Sequence, residues 1–166
     1  MKTAFLFSGQ GAQHAGMGRD LCAAYQTART LFERAEGVTG LELRRLCFEG
    51  PEEELARTDV AQPAIFTVTA ALLAVLHEVL GDEGCEAIRP EYVAGLSLGE
   101  YGAIYAAGAI DFDDALRLVA RRGDLMQSAA VARPSGMLSV IGLDPEAAEA
   151  LAAEAAQGQE IGRAHV

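Results

Sequence analysis

The chain has 166 residues, of which 51% are hydrophobic and 22% are charged, and its formal net charge at neutral pH is -11. This length allows one domain with a real core, and the composition is typical of a globular rather than a disordered protein. The acidic balance argues against binding to nucleic acid or to anionic membranes, because both rest on basic protein surface.

Three cysteines, Cys22, Cys47 and Cys85, are too few and too widely spaced for a disulfide framework or a zinc site. They favour a reducing cytosol, and the polar, glycine-containing N-terminus is a poor signal peptide. The longest apolar stretch, Ala64–Leu80, is short for a membrane span and is interrupted by polar residues, so we expect a buried helix. We therefore expect a cytoplasmic protein with no metal site and no membrane or nucleic-acid partner.

In the first part of the chain, a strand and then helices are predicted. Thr3–Phe7 is apolar and predicts a buried parallel strand, and Gly9–Gly18 is a glycine-rich loop. Apolar residues at helical spacing predict one helix over Asp20–Ala35, ended by Gly37. Gly50-Pro51 opens a short acidic helix, with carboxylates at the positive end of the helix dipole.

The second part continues the alternation. Helices are predicted over Pro63–Leu80, Leu98–Ala107 and Phe112–Ala130, and from Asp144-Pro145 to Ala156, and strands over Tyr92–Leu96 and Met137–Gly142. The segment Leu41–Phe48 stays ambiguous. Strands that alternate with helices predict an α/β fold with a mainly parallel sheet. A break at Arg133–Gly136 predicts the boundary between a large first lobe and a second one.

The segment Gly95-Leu96-Ser97-Leu98-Gly99 matches the pattern G-x-S-x-G between a predicted strand and a predicted helix. In this pattern the serine stands on a sharp, strained turn, and the glycines remove side chains that would collide across it. The helix that follows directs backbone N–H groups, first that of Leu98, at an oxyanion. The motif predicts Ser97 as a nucleophile, although a chance match stays open on the motif alone.

A second glycine-containing motif, Gly9-Gln10-Gly11-Ala12-Gln13, follows the first predicted strand directly. Loops after parallel strands open on the side of the sheet where ligands bind, and the glycines permit a tight backbone path there. The Gln10 N–H is a candidate second oxyanion donor. Taken alone, the segment is explained as well by a plain strand-to-helix turn.

One stripe of the predicted helix that begins at Phe112 is apolar except for Arg122. The stripe consists of Ala115, Leu118, Val119, Arg122, Leu125, Met126 and Ala129. We expect it to face the core, where a lone guanidinium needs an anionic partner because an unpaired buried charge is costly. A structural ion pair, or an arginine whose head reaches water, fits the same pattern.

Four motifs occur in one order along the chain. They are GQGAQ near the N-terminus, QPA at Gln62–Ala64, GLSLGE at Gly95–Glu100 and RGDLMQ at Arg122–Gln127. In these motifs the chain resembles the malonyl-CoA:acyl-carrier-protein transacylases (acyl-carrier-protein S-malonyltransferases), which load acyl-carrier proteins. The resemblance extends from Thr3 to about Ala156. It departs at Leu96, where many members have a histidine that is not the catalytic base, so the assignment of Ser97 is unaffected.

The resemblance implies an α/β-hydrolase-like large lobe over residues 1–133 and the first strand and helix of a ferredoxin-like small lobe over 134–159. It implies that Ser97 forms an acyl-enzyme, with the backbone N–H groups of Gln10 and Leu98 as the oxyanion hole. Gln62 and Gln10 would line the acyl site. Arg122 would bind the free carboxylate of the malonyl group through its planar fork, which lysine lacks.

The family resemblance also implies the partners. Malonyl-CoA is the expected substrate and an acyl-carrier protein the expected acceptor, in fatty-acid biosynthesis. No bound cofactor is expected, and the complete protein is expected to be a monomer.

A serine nucleophile needs a base, and none of His14, His77 and His165 lies in the histidine motif of this family, which comes later in its members. We therefore expect a truncated N-terminal part that lacks the catalytic histidine and has little activity by itself. The final residues, 160–166, match what a common sequencing adapter encodes in frame. We expect them to be a non-native tail.

Alternatives stay open at this point. An α/β serine hydrolase such as a thioesterase shares G-x-S-x-G but gives no reason for an inward arginine. A polyketide-type acyltransferase shares all four motifs, and the sequence does not separate malonyl from methylmalonyl or another carboxyacyl group. A chain of this length that does not fold stably is a further alternative.

Overall fold

The computed structural model describes residues 2–132, 136–158 and 161–162. The elements in chain order are β1 (Ala4–Phe7), α1 (Arg19–Ala24), α2 (Gln26–Thr39), α3 (Leu43–Glu49), α4 (Glu52–Leu55), α5 (Thr58–Ala87), β2 (Tyr92–Gly95), α6 (Gly99–Ala106), α7 (Phe112–Ala132) and α8 (Pro145–Ala156). The protein is thus α/β, with much more helix than strand. Its contacts divide it into two units, Met1–Ala132 and Arg133–Val166.

The two strands of the first unit form a small parallel sheet. The register pairs Ala4 with Tyr92 and Phe7 with Gly95. The predicted parallel pairing is confirmed, but the predicted burial of the first strand is wrong, since Leu6 is 80% exposed. Exposure alternates along both strands because α6 covers the face that carries Phe7, whereas the face that carries Leu6 is open.

The core of the first unit lies where α2, α5 and α7 pack together. Its largest fully buried apolar side chains are Phe32, Leu43, Leu55, Phe66, Leu116 and Val119. The Phe66 and Phe112 rings stack with their centroids 5.9 Å apart. Removing such a side chain from water stabilises the folded state by about 1.5–3 kcal/mol.

The sequence predicts one helix after the glycine-rich loop, and the structure has two. The break falls at Tyr25, whose backbone is extended (φ -123°, ψ 126°). The Arg29 guanidinium donates to the carbonyl oxygens of Cys22 and Ala23, which satisfies acceptors that the end of α1 leaves free. The second helix then continues through Gly37, its predicted end, and the ambiguous segment that follows is the helix α3.

The long apolar helix α5 begins at Thr58, before the predicted start at Pro63. The earlier start has a tertiary cause, because the side-chain oxygen of Gln127 on α7 accepts the Thr58 N–H at 3.0 Å. Helical geometry is interrupted at Gly81 (φ 64°, ψ -178°). By length and composition α5 is the one helix in the described residues that could cross a membrane, but its first half is packed in the core.

Two predicted helix starts are confirmed by their side-chain caps. The Asp111 carboxylate accepts the Asp114 N–H at 2.9 Å at the start of α7. The Asp144 carboxylate accepts the Ala147 N–H at 2.8 Å at the start of α8. Both caps satisfy N–H groups that a first helical turn leaves without a partner.

The second unit contains α8 as predicted, but its predicted strand Met137–Gly142 is absent. A strand is stabilised by pairing, and the described residues of this unit hold no other strand to pair with it. The assignment of the two units to a large and a small lobe stays a prediction. Of the predicted tail, only residues 161–162 lie within the described part of the chain.

Candidate active site

The candidate nucleophile Ser97 sits on the predicted tight turn between β2 and α6. Its φ of 55° is in the left-handed region, where a residue with a side chain is strained by about 1–3 kcal/mol. A Cβ atom at Gly95 would lie 2.1 Å from the carbonyl group of Gly99, and one at Gly99 would lie 2.3 Å from the carbonyl oxygen of Phe7. Glycine at both positions is therefore what allows this turn to form, as the motif predicts.

The glycine-glutamine loop lies directly beside the serine turn. A Cβ atom at Gly9 would be 2.9 Å from the carbonyl oxygen of Leu96, so the two backbones touch there. The Leu98 side chain is 2% exposed and anchors the far side of the turn, while Ser97 is exposed. Within the described residues, neither the Gln10 N–H nor the Leu98 N–H takes part in a turn or loop hydrogen bond.

The guanidinium of Arg122 reaches the serine. Its Nη2 donates to Ser97 Oγ at 2.7 Å, and its Nη1 donates to Gln62 Oε1 at 2.6 Å. The ring centroid of Tyr101 lies 5.9 Å from the guanidinium carbon. Two of the sequence-predicted site residues are thus in direct contact although 25 positions separate them in the chain.

Arg122 makes no ion pair with any carboxylate in the described residues, whereas several other arginines do. The residue is half-buried. A partly desolvated cation without a counter-charge is costly, and an anionic ligand would remove that cost. The guanidinium of Arg122, which has no carboxylate partner in the described residues, therefore lies beside the candidate nucleophile Ser97.

The predicted core-facing stripe of α7 is wrong in part. Leu118 and Leu125 are 52% and 54% exposed, whereas Leu116 and Gly123 are buried. The helix is turned because its closest approach to α5 is at Gly123, where a Cβ atom would lie 2.9 Å from the carbonyl oxygen of Thr58. This rotation places the neighbouring arginine at the edge of the core rather than inside it.

Gln62 is fully buried and links the arginine to the glycine-glutamine loop. Its Oε1 accepts from Arg122, and its Nε2 donates to Gln10 Oε1 at 3.4 Å and to Met126 Sδ at 3.3 Å. Gln10 Nε2 in turn donates to Thr58 Oγ1 at 3.1 Å. The structure thus brings together Gln10, Gln62, Ser97 and Arg122, as the sequence predicts.

Sequence reasoning did not identify Thr58, Tyr101 or Met126 as members of this neighbourhood. Thr58 lies 48 positions from Gln10, so no local pattern relates the two. The only available signal was that Met126 and Gln127 belong to the same motif as Arg122, one helical turn further along.

No described histidine contacts the serine. His14 Nδ1 lies 3.4 Å from the Ala12 carbonyl oxygen, and His77 Nε2 lies 3.4 Å from Asp82 Oδ1. His165 falls outside the described residues. Across the described part of the chain, no group of three or more His, Cys, Asp or Glu side chains is placed to hold a metal ion.

Comparison with protein families gives a match to the family described as "Acyl transferase domain" over residues 4–157. The chain is 42% identical to the malonyl CoA-acyl carrier protein transacylase of Bacillus subtilis (strain 168), covering 88% of this chain and 44% of that relative. It is also 45% identical to the polyketide biosynthesis protein ThaF of Burkholderia thailandensis, over 95% of this chain and 13% of that protein.

Among solved structures, the chain is similar to a type II PKS acyl-carrier protein complex with its malonyl-transacylase. The TM-score is 0.80 at 41% identity, and the match covers 95% of this chain and 49% of the solved one. The chain thus spans about half the length of the transacylases it matches.

Proposed function

The chain belongs to the acyl transferase family, and from this premise we propose that the whole protein transfers a malonyl group from malonyl-CoA to the phosphopantetheine thiol of an acyl-carrier protein. The observation that carries the proposal is the 2.7 Å contact between Arg122 Nη2 and Ser97 Oγ. This contact supports the proposal because a guanidinium, which can bind a carboxylate, and a serine hydroxyl lie within the length of one small dicarboxylic acyl group.

In the first half-reaction, Ser97 Oγ attacks the thioester carbonyl carbon of malonyl-CoA and its proton passes to a base. The carbonyl oxygen becomes an oxyanion, which the Gln10 and Leu98 N–H groups are proposed to bind. Neither N–H is used in a turn or loop hydrogen bond within the described residues, which supports this role. The C–S bond then breaks, and the coenzyme A thiolate leaves with a proton.

In the second half-reaction, the carrier-protein thiol gives up its proton and attacks the acyl-serine ester. The C–O bond breaks, Ser97 regains its proton, and the malonyl group leaves as a thioester of the carrier. One ester-like intermediate therefore serves both halves. No redox step and no bound cofactor is required by this balance of atoms.

Arg122 is proposed to hold the malonyl carboxylate. A guanidinium has five N–H donors, and the contacts to Ser97 and Gln62 use two of them, so three remain for a carboxylate. The absence of a carboxylate partner for Arg122 in the described part of the chain supports this role. An acyl group without a carboxylate would leave the guanidinium unpaired, which gives the site its proposed selectivity.

The base is the part of the proposal that lies outside the described residues. Neither His14 nor His77 contacts Ser97, and we assign proton transfer to a histidine elsewhere in the whole protein. We also keep as proposals an α/β-hydrolase-like large lobe, a ferredoxin-like small lobe, a monomer and a cytoplasmic location.

Mass spectrometry tests the proposal. The full-length protein is incubated with malonyl-CoA or with acetyl-CoA, digested and mapped. We expect one malonyl group on Ser97, little acetyl group, and no label in Ser97→Ala. The matched control Ser128→Ala changes an exposed serine on α7 and should label normally.

A malonyl group on another residue would contradict the assignment of the nucleophile. Release of free malonate faster than transfer to carrier thiol would instead identify a hydrolase. The labelled residue is read from the digest, and malonate release and transfer to carrier thiol are measured in a parallel reaction that contains an acyl-carrier protein.

A second candidate, an acyltransferase of polyketide synthesis, is favoured by the 45% identity to a polyketide biosynthesis protein. The chemistry is the same and the carrier differs. Transfer rates to a fatty-acid carrier protein and to a type II polyketide carrier protein, measured side by side, separate the two candidates.

A further inference from the structure

We propose that Thr58, held in place by Gln127, is a positioning residue that fixes the Gln10 amide and, through Gln62, the guanidinium of Arg122. The inference deepens the proposed function, on which it rests for the identity of the bound carboxylate. The Thr58 hydroxyl contacts neither Ser97 nor Arg122, so it would act only through the two glutamines.

The chain of hydrogen bonds has one possible direction. A guanidinium has donors and no acceptor, so Gln62 must turn its Oε1 toward Arg122. The Gln62 Nε2 group then points away, and because the residue is fully buried it must find acceptors inside the protein. It finds Gln10 Oε1 at 3.4 Å, a long contact for oxygen, and Met126 Sδ at 3.3 Å.

The same logic carries the direction one residue further. Since Gln10 Oε1 faces Gln62, Gln10 Nε2 must donate elsewhere, and it donates to Thr58 Oγ1 at 3.1 Å. This is the shortest contact that the Gln10 side chain makes. The threonine hydroxyl is therefore the main anchor of this side chain.

Thr58 is itself held from another helix. Its N–H stands in the first turn of α5, where no partner exists within the helix, and Gln127 Oε1 on α7 accepts it at 3.0 Å. Its carbonyl oxygen is packed against Gly123 of α7, the position where a Cβ atom would come within 2.9 Å. The hydroxyl is thus fixed to the helix that also carries Arg122.

The arrangement closes a ring of contacts. Arg122 and Gln127 are five residues apart on α7, which is about 1.4 helical turns, and the path between them runs through Gln62, Gln10 and Thr58. Loss of the threonine hydroxyl opens this ring at its anchor. The Gln10 amide then loses its acceptor, and the Gln62 amide loses the restraint that keeps its oxygen on the guanidinium.

The test compares Thr58→Val, which keeps the shape and removes the hydroxyl, with Thr58→Ser, which keeps the hydroxyl. Malonate is titrated into the protein while NMR follows the side-chain NH₂ signals of Gln10 and Gln62, and urea unfolding is measured in parallel. We expect Thr58→Val to shift both NH₂ signals and to weaken malonate binding by about three- to tenfold. Thr58→Ser should restore the signals and bind within about twofold of the parent.

Thr30→Val is the matched control, because Thr30 also accepts a glutamine NH₂ group, at 3.4 Å, and lies on the exposed face of α2. It should leave malonate binding unchanged. A purely structural role for Thr58 would lower the urea midpoint with unchanged malonate affinity, and that result would overturn the inference.

The experiment distinguishes failure of the carboxylate role of Arg122 from failure of the positioning role of Thr58. If the parent protein binds no malonate, the carboxylate role of Arg122 falls, while the Gln10 NH₂ signal in Thr58→Val still decides the positioning role. If that signal does not move in Thr58→Val, the positioning role falls, and malonate binding by the parent leaves the proposed function intact.

Discussion

The candidate active-site neighbourhood and the helical core are held together by different interactions. The neighbourhood of Ser97 is exposed or half-buried apart from the fully buried Gln62, and it is ordered by a series of side-chain hydrogen bonds. The core around Phe32 is dry, and burial there raises the pKa of the Cys47 thiol to about 12. The first region is ordered by directional hydrogen bonds, and the second by the close packing of apolar side chains.

In this protein, the residues that position the candidate site are therefore different from those that stabilise the fold. Burial of apolar area supplies most of the favourable free energy of folding, and a cavity left in the core lowers the free energy of unfolding. The site contributes little apolar area and contains a strained serine at φ 55°. Changes in the core should therefore alter stability and leave ligand binding intact, and most changes in the site should do the reverse.

The largest expected effect tests the core side. Phe32→Ala removes a fully buried ring that packs on Phe48 with centroids 5.4 Å apart, and should cost about 3–5 kcal/mol in urea unfolding. Malonate affinity, measured well below the unfolding midpoint, should stay at the parent value. The control Leu72→Ala changes a 53% exposed side chain and should cost less than about 0.5 kcal/mol. A parallel loss of malonate affinity in Phe32→Ala would show that ligand binding depends on the packing of the core.

The next largest effect should appear in both stability and malonate binding. Gly99→Ala puts a Cβ atom 2.3 Å from the Phe7 carbonyl oxygen, so β1 and α6 must separate. We expect a loss of about 1–3 kcal/mol in stability together with weaker malonate binding, because the serine turn moves. Gly37→Ala is the control, since nothing lies within 4 Å of a Cβ atom there. It should stabilise α2 by about 0.5–1 kcal/mol.

A smaller effect should stay within the site. Arg122→Lys keeps the charge and removes the planar fork, so malonate should bind about tenfold more weakly while the urea midpoint changes little. Arg121→Lys alters the exposed neighbour on α7 and should bind malonate as the parent does. Equal binding by Arg122→Lys and the parent would show that charge alone, without bidentate geometry, holds the ligand.

The smallest effect concerns a surface pair outside both regions. Burial tends to raise the pKa of Glu36, but the hydrogen bonds from Arg44 outweigh it and lower the pKa below the ordinary value of 4.5. A lowered pKa in the folded state stabilises the protein above the ordinary pKa, and this gain disappears as pH falls through the folded-state value.

Glu36→Gln should therefore cost at most about 1 kcal/mol at neutral pH, and the difference from the parent should vanish in strong acid. Glu33→Gln is the control, because Glu33 meets the same Arg44 from a more exposed position, 3.3 Å away. Urea unfolding across this pH range measures both. A difference that grows in acid would contradict the assigned direction of the pKa change.

Local features of the sequence predicted local features of the structure. The strained serine turn could be predicted because its glycines are two residues away on each side. The starts of α7 and α8 could be predicted because Asp111 and Asp144 cap N–H groups three residues on. In both helix caps the interacting atoms are separated by less than one helical turn.

Features that depend on distant contacts could not be predicted. The early start of α5 depends on Gln127, which is 69 positions from Thr58. The rotation of α7 depends on Gly123 meeting the backbone of α5. Without the family motifs, the same 3.6-residue pattern fitted an arginine in the core as well as one at its edge, and the contact of Arg122 with Ser97 would have stayed one alternative among several.

The hydrogen atom that Gly123 carries in place of a side chain sets the spacing between α5 and α7. Arg122 directly precedes Gly123, so this spacing sets how far its guanidinium stands from Gln62 on α5. A larger residue at position 123 would push α7 away from the backbone of α5 and so move the guanidinium relative to Gln62 without altering the arginine itself.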